Sequence, residues 1–170
     1  ARPGWQRDVF IGPLPQDNAV EHELNWPTFW AERRLAPMVA MSASGLNAAQ
    51  RDLVEQVCDR CPDLLDDVDH LGPLHGDLWN GNVLYGETGP LLIDPAVYVG
   101  DPEVDLAMMD LFGGFGAEVW SSYFAIRPRK PGFEMRRDLY QLWPLLVHVT
   151  LFGSGYGSGV ERAARRVLEA

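Results

Sequence analysis

The sequence has few cysteines, few basic residues and no long apolar run, and each scarcity excludes a class of protein. Two cysteines, Cys58 and Cys61, are too few for a disulfide framework or a four-ligand zinc site. Lys and Arg total 14 against 24 for Asp and Glu, a formal net charge of −10, so no basic face for nucleic acid is expected. The apolar run at residues 139–152 is too short and too interrupted to span a bilayer.

No secretion signal is recognisable either, because residues 1–7 are polar and contain no apolar stretch. The C-x-x-C pair at residues 58–61 lies near the end of a predicted helix, whereas a redox pair of the thioredoxin type begins a helix after a strand. We therefore expect two reduced thiols of no assigned role in a cytoplasmic protein, with no membrane and no nucleic-acid partner.

The composition that remains is that of a folded domain. Hydrophobic residues make up 46% of the 170 residues and charged residues 22%, which fits a globular chain rather than a disordered one. This length favours one domain with a core large enough to fold. The acidic balance is compatible with a cationic substrate.

The hydrophobic pattern predicts helices around one small hairpin. Asn25 and Asn47 are N-cap candidates, and the helix after Asn47 is predicted to end at Pro62. Asp101 is the predicted N-cap of a helix in which Pro102 occupies the first turn. Further helices are predicted over residues 117–124, 133–152 and 160–170, strands over residues 8–12, 83–85 and 91–93, and a loop over residues 71–82.

A stretch in the middle of the chain carries the strongest signal for chemistry. Residues 75–82 read HGDLWNGN, and Asp94 follows the second strand of the predicted hairpin. The spacing is H-x-D-x-x-x-x-N, then strand, turn, strand and aspartate. Because the hairpin turns the chain back, Asp94 is expected to lie near Asn82.

These residue types at this spacing match what phosphoryl transfer requires. A carboxylate must accept a hydrogen bond from the attacking hydroxyl and orient it, and Asp77 is the candidate catalytic base. A neutral and an anionic oxygen must hold Mg²⁺ against the nucleotide phosphates, and Asn82 and Asp94 are the candidate metal ligands. Gly76 and Gly81 permit the unusual turns of such a loop.

The same loop and hairpin resemble the catalytic lobe of the protein-kinase-like small-molecule phosphotransferases. More narrowly, nearly the whole chain resembles the fructosamine kinase (ketosamine-3-kinase) family. The segments that carry this resemblance are LHGDLWNGN at 74–82, IDPA at 93–96, LFGGF at 111–115, PGF at 131–133, LYQL at 139–142, FIG at 10–12, PQDN at 15–18 and FWAERRL at 29–35.

The resemblance implies a fold and an activity. The expected fold is α+β and mostly helical, with residues 1–170 forming the single C-terminal lobe of a protein-kinase-like phosphotransferase that carries a small catalytic hairpin. The expected activity is phosphorylation, with ATP and Mg²⁺, of a sugar hydroxyl on small-molecule or protein-linked ketoamines of the fructosamine or ribulosamine type.

The sequence departs from a complete kinase of this kind. It has no glycine-rich loop opening a strand pair, and its single lysine, Lys130, lies far downstream of any such position. We therefore expect a nucleotide-binding β lobe to precede Ala1 and this lobe to be inactive without it. An uncovered inter-lobe face is expected to favour self-association. Asp94 is followed by Pro95 instead of Phe-Gly, so no activation switch of the protein-kinase type is expected.

Residues around the loop have two interpretations each. Trp79 either borders the substrate sugar or braces the loop as a core tryptophan. His75 is expected to support the backbone rather than to act as a base. Asp105 resembles the family aspartate that hydrogen-bonds back to the loop, and its alternative is a solvated acid in a first helical turn. His148, in an apolar helix, is expected to be a satisfied core histidine.

Two other functions stay open on the sequence. One is an aminoglycoside- or choline-type small-molecule kinase, which Trp79 and the DPA run at residues 94–96 disfavour. The other belongs to a different class, a truncated non-catalytic binding module or pseudokinase remnant. A basic cluster of Arg127, Arg129 and Lys130 could contact phosphate, although a solvated loop is the expected role of these residues.

Overall fold

Helices occupy most of the computed structural model, which describes residues 1–21, 24–65 and 68–170. The α-helices in these ranges are α1 (Trp26–Trp30), α2 (Ala36–Met41), α3 (Ala48–Leu64), α4 (Glu103–Phe112), α5 (Ala117–Ile126), α6 (Phe133–Phe152) and α7 (Gly157–Glu169). A π-helical turn, Ala31–Leu35, joins α1 to α2, and short 3-10 turns cover Asn80–Asn82 and Ser154–Tyr156. The predicted mostly helical α+β class is confirmed.

The strands form three small antiparallel sheets of two strands each within the described ranges. Their members are β1 (Val9–Ile11) with β2 (Leu14–Gln16), β3 (Gly72–Leu74) with β6 (Tyr98–Gly100), and β4 (Val83–Gly86) with β5 (Gly89–Leu92). The third pair is the predicted hairpin, and its turn is tighter than expected because Gly86 already pairs with Gly89.

Two strands were not predicted. Residues 71–82 are not wholly a loop, because β3 pairs there with β6, and Leu74 lies opposite Tyr98. The partner of β3 is distant in sequence, so no local hairpin signal marks it. Likewise β2 forms where a proline-containing turn was expected, because Pro15 lies in a two-stranded ribbon whose outer edge needs no N–H donor.

Helix α3 shows a predicted start and an unpredicted end. The Asn47 side chain accepts a hydrogen bond from Gln50 N at 2.9 Å, and the Gln50 side chain accepts one from Asn47 N at 3.1 Å. The prediction that Pro62 ends the helix is wrong, because α3 continues to Leu64. Pro62 lies in the last turn, where its missing N–H costs one hydrogen bond and the following turn still closes.

The C-x-x-C pair lies on this helix as two free thiols. Cys61 is fully buried and Cys58 is half-buried. Burial raises the pKa of the Cys58 thiol to about 12, and it raises the pKa of Cys61 as well. Both sulfurs are therefore protonated and weakly nucleophilic at neutral pH, as expected for structural cysteines.

Helix α6 is the centre of the core. It packs against α4 and α7, and α3 packs against α7 from the other side. The buried face of α6 includes Leu139, Tyr140, Leu142 and Trp143, each at most 1% exposed. In the part of the chain that the structure describes, no helix combines the length and apolar character needed to cross a membrane.

A buried hydrogen-bonded chain joins α1, α6 and the start of α4. Trp26 Nε1 donates to Tyr140 Oη at 2.9 Å, and Tyr140 Oη donates to Asp101 Oδ2 at 2.7 Å. Asp101 Oδ1 also accepts from Glu103 N at 3.0 Å, so Asp101 caps α4 as predicted. By backbone geometry the N-cap position is the next residue, Pro102. Burial raises the pKa of Asp101 to about 6.

This raised pKa makes stability depend on pH. Burial disfavours the ionised form of Asp101 in the folded chain. The protonated carboxyl therefore contributes its full stability below the unfolded pKa of about 4, and this contribution is lost as pH rises through the folded pKa of about 6. Relative to Asp101→Asn, the wild-type free energy of unfolding is expected to fall by about 3 kcal/mol over that interval. Urea unfolding of the wild type and of Asp101→Asn from pH 4 to 7 measures this difference. Parallel curves of unfolding free energy against pH would contradict the prediction. The control is Asp52→Asn, at an exposed position of α3.

Candidate functional site

The backbone of the loop after β3 is held by a carboxylate from α4. Asp105, in the first turn of α4, accepts from His75 N at 2.8 Å and from Gly76 N at 2.9 Å. The His75 carbonyl accepts from Ala96 N at 2.8 Å, which ties the loop to the segment before β6. Burial raises the pKa of Asp105, and the two backbone N–H groups oppose that rise by stabilising its charge. Asp105 is thus a loop contact and not a solvated acid.

His75 has both ring nitrogens occupied within the loop. Its Nε2 lies 2.9 Å from the Ile93 carbonyl oxygen, and its Nδ1 accepts from Asp77 N at 3.3 Å. These contacts assign the proton to Nε2. The ring therefore connects the loop to the exit of β5, and both of its nitrogens have partners within the protein.

Asp77 and Asn82 face each other across the loop. Asn82 Nδ2 donates to the Asp77 carbonyl at 2.8 Å and to Asp77 Oδ2 at 3.1 Å. Asn82 is 7% exposed, and Asp77 is half-buried. Burial raises the pKa of Asp77, while the hydrogen bond from Asn82 and the nearby imidazoles of His75 and His148 act to lower it.

Asp94 completes the group at the end of the hairpin. Ile93 N donates to the Asn82 carbonyl at 3.0 Å, so the chain leaving β5 is fixed against the loop. Burial is the main cause that raises the pKa of Asp77, and repulsion from the Asp94 carboxylate adds to it. Asp94 has a φ of +52°, the one positive value at a non-glycine residue in the described ranges. Strain of this kind is concentrated at functional sites.

The donor set of this group suits a hard cation. Asn82 uses its Nδ2 group on Asp77, which leaves the amide oxygen as its ligand atom, and exposed Asp94 offers a carboxylate. Mg²⁺ in phosphate sites takes one or two protein oxygens together with phosphate and water. No cluster of three or more His, Cys, Asp or Glu side chains in residues 1–21, 24–65 and 68–170 could hold a metal. One amide oxygen and one carboxylate could supply two of the ligands of such a cation.

A cavity of about 210 Å³ opens beside Asp77. Trp79, Phe112, Trp143 and His148 are among its lining residues. Trp79 is 42% exposed and packs edge-on against Phe112, with ring centroids 6.3 Å apart, so it is not a core tryptophan. The cavity has an aromatic side that could lie against an apolar face of a small ligand.

His148 lines this cavity, although the sequence did not connect it with the site. The structure places it on the cavity wall and not in the core, although its Nδ1 is satisfied by the Pro144 carbonyl at 2.8 Å. Its ring lies 4.9 Å from that of Phe112. Only tertiary packing brings α6 to the loop, so the sequence offered no signal that connects His148 with Asp77.

The basic cluster belongs elsewhere. Arg129 is ion-paired with Glu134 at 2.8 Å, and Lys130 is ion-paired with Asp69. Arg127 Nη2 lies 2.8 Å from the His70 imidazole. None of the three basic residues lines the cavity beside Asp77.

This combination of a helical fold, a braced HxD loop and an aspartate after a hairpin is that of the kinase-like phosphotransferases. The profile of the family described as fructosamine kinase matches residues 1–170. The chain belongs to the fructosamine kinase family.

Known relatives agree in sequence and in structure. The chain is 40% identical over 167 residues to a probable ketoamine kinase of Synechocystis, covering 97% of this chain and 55% of that protein. It is 41% identical over 156 residues to the mouse ketosamine-3-kinase, covering 90% and 50%. A crystal structure of a fructosamine-3-kinase candidate from Thermobifida fusca superimposes with a TM-score of 0.92 at 41% identity, covering 99% and 59%. The chain thus spans roughly half of the length of these proteins.

Proposed function

We propose that the protein transfers the γ-phosphoryl group of ATP to a sugar hydroxyl of ketoamines. One observation carries the proposal: Asn82 donates to Asp77 within a loop that Asp105 and His75 hold in place, and Asp94 follows at the exit of the hairpin. Family membership supports ketoamines as the substrate class. Aminoglycoside- and choline-type kinases lack that support.

Asp77 is the proposed catalytic base. Its carboxylate would accept a hydrogen bond from the attacking hydroxyl, orient the oxygen toward the phosphorus and take up the proton. The hydrogen bond from Asn82 Nδ2 at 3.1 Å fixes the direction of this carboxylate. Burial raises the pKa of Asp77, which makes it a better proton acceptor than a solvated aspartate.

Asn82 and Asp94 are the proposed Mg²⁺ ligands, as the amide and carboxylate oxygens of one site. A bound Mg²⁺ would offset negative charge on the phosphate oxygens during transfer. The positive φ of Asp94 turns its residue out of the strand direction at the end of the hairpin. Trp79 would lie against the sugar and exclude water from the reacting atoms.

The complete enzyme is proposed to pair this lobe with a nucleotide-binding lobe. A kinase of this class uses a Lys–Glu pair and a glycine-rich loop to hold the ATP phosphates. The one lysine of the sequence, Lys130, is committed to an ion pair with Asp69 on the surface. The lobe by itself is therefore proposed to be inactive, or very nearly so.

The outer surface of the hairpin is the proposed contact for that second lobe. Leu84 and Leu91 lie opposite each other on one face of the hairpin and are 51% and 61% exposed. Expressed alone, the 170-residue chain is therefore expected to self-associate, because this apolar pair is left in water. Light scattering against concentration measures this, with Leu91→Lys expected to lower the apparent mass. A strictly monomeric chain at high concentration would contradict the expectation.

The decisive experiment measures transfer of labelled γ-phosphate from ATP-Mg²⁺ to ketoamines, aminoglycosides and choline. The protein as its gene encodes it is compared with the 170-residue chain. Phosphorylation of ketoamines by the encoded protein is the expected result. Transfer to choline or to an aminoglycoside, but not to ketoamines, would contradict ketoamines as the substrate class. Absence of transfer to any acceptor would favour a non-catalytic binding module.

A further inference from the structure

A row of exposed aromatic rings runs along the cavity beside Asp77, and Phe112 and Phe152 are among its lining residues. Phe112, Phe152 and Tyr156, here named the aromatic wall, are 37%, 66% and 39% exposed. Their ring centroids lie 4.9, 5.4 and 4.9 Å from that of His148. Three adjacent rings that water solvates poorly mark a surface suited to an apolar ligand group.

The aromatic wall is continuous with the proposed site and is held in a defined shape. Phe112 packs against Trp79, which borders the cavity. Phe152 ends α6 and Tyr156 closes the next 3-10 turn, with Gly153 between them at a φ of +88°. That left-handed glycine reverses the chain so that the two rings come within 6.3 Å. A ligand would meet this surface largely preformed.

We propose that the aromatic wall binds the amine-side substituent of the ketoamine and so selects among substrates. The inference rests on the proposed function and extends it. A sugar whose hydroxyl reaches Asp77 occupies the cavity, so the amine and its substituent must leave along the cavity rim, which the aromatic wall borders. The secondary amine of a ketoamine is protonated at neutral pH, and aromatic faces attract such cations.

The charges around the cavity indicate which amine substituents of a ketoamine it should favour. Among the described residues that line the cavity, Asp77 is the one acid, and none is an Arg or a Lys. A carboxylate on a short amine substituent would find no cationic partner there, whereas a hydrocarbon chain or ring would be covered by Phe152 and Tyr156. The expected substrates are ketoamines of long-chain or aromatic amines, including those on lysine side chains.

The test compares two fructose-derived ketoamines, one of benzylamine and one of glycine, with the protein as its gene encodes it. Phe152→Ala is expected to raise KM for the benzylamine ketoamine about 5- to 20-fold with kcat nearly unchanged, from loss of ring and cation contacts. KM for the glycine ketoamine should stay within about twofold on the same grounds. Phe152→Tyr keeps the ring face and should retain both KM values.

Phe10→Ala is the matched control, because Phe10 is 64% exposed and Phe152 is 66% exposed. Phe10 alternates on β1 with Ile11, which lines the cavity, so Phe10 points away from it. Equal rises of KM for both ketoamines in Phe152→Ala, or the same selective rise in Phe10→Ala, would overturn the inference.

Calorimetric binding without ATP separates the inference from the function it rests on. If the unaltered protein binds the benzylamine ketoamine more tightly and Phe152→Ala loses that preference, yet neither ketoamine is phosphorylated, the proposed function fails and the aromatic wall stands. If binding shows no preference, the aromatic wall has no such role, whatever the turnover.

Discussion

Replacing Asp77 with asparagine is expected to lower kcat for phosphoryl transfer by about 10²- to 10⁴-fold, the range for loss of a positioned general base. The amide has nearly the same shape but cannot take the proton from the substrate hydroxyl. Folding should not suffer, because burial disfavours the ionised carboxylate and raises its pKa. The expected signature is therefore lost activity together with an unchanged or higher Tm at neutral pH.

Asp59→Asn is the matched control for that result, since Asp59 is exposed on α3, away from the loop. It removes the same charge and should leave kcat unchanged. If Asp77→Asn kept more than about a tenth of wild-type kcat, a general-base role would be excluded, because such a base contributes at least about 10²-fold. Equal losses in both variants would trace the effect to net charge instead.

Replacing Gly76 with alanine is expected to destabilise the fold by about 2 to 5 kcal/mol, because left-handed backbone strain is added to overpacking. Gly76 has a φ of +80°, and an added Cβ would lie 2.1 Å from the Ala96 carbonyl oxygen. That oxygen cannot move aside easily, because Ala96 N is bonded to the His75 carbonyl at 2.8 Å. Thermal unfolding should show Tm lowered by about 4 to 20 °C.

Gly153→Ala separates the cost of left-handed backbone strain from the cost of overpacking. Gly153 has a φ of +88°, but an added Cβ would meet nothing within 4 Å. It therefore carries the backbone cost alone, about 1 to 2 kcal/mol. A Tm for Gly76→Ala close to that of Gly153→Ala would show that the loop can yield and that its contact with Ala96 is not tight.

Features specified by neighbouring residues were predictable from the sequence. Asn47 and Gln50 form a capping box because their side chains lie three residues apart, and helix geometry brings them together. The hairpin followed from two apolar strands around a glycine turn. Helix α6 matches its predicted bounds, Phe133–Phe152, because its apolar pattern is long and unambiguous.

Features specified by distant residues were not predictable. The β3–β6 pairing joins segments whose contact depends on the path of the loop and hairpin between them. The π-helical turn Ala31–Leu35 has no local signature, and Arg34 is buried there against the rings of Phe29 and Tyr98. His148 reaches the cavity only because α6 packs against α4. Spacing along the chain therefore identified the loop acids, and tertiary packing alone identified the cavity wall.

The amide of Asn82 has a consequence for how the proposed site tolerates motion. Its NH₂ group holds both the carbonyl and the carboxylate of Asp77, at 2.8 and 3.1 Å, and its oxygen is the proposed Mg²⁺ ligand. An amide is planar and stiff, so the proposed base and the proposed ligand atom are joined through this rigid spacer and its hydrogen bonds. Displacement of the loop is therefore expected to move the two together. Aspartate at position 82 would keep an oxygen ligand yet lose the spacer, because an ionised carboxylate donates no hydrogen bond.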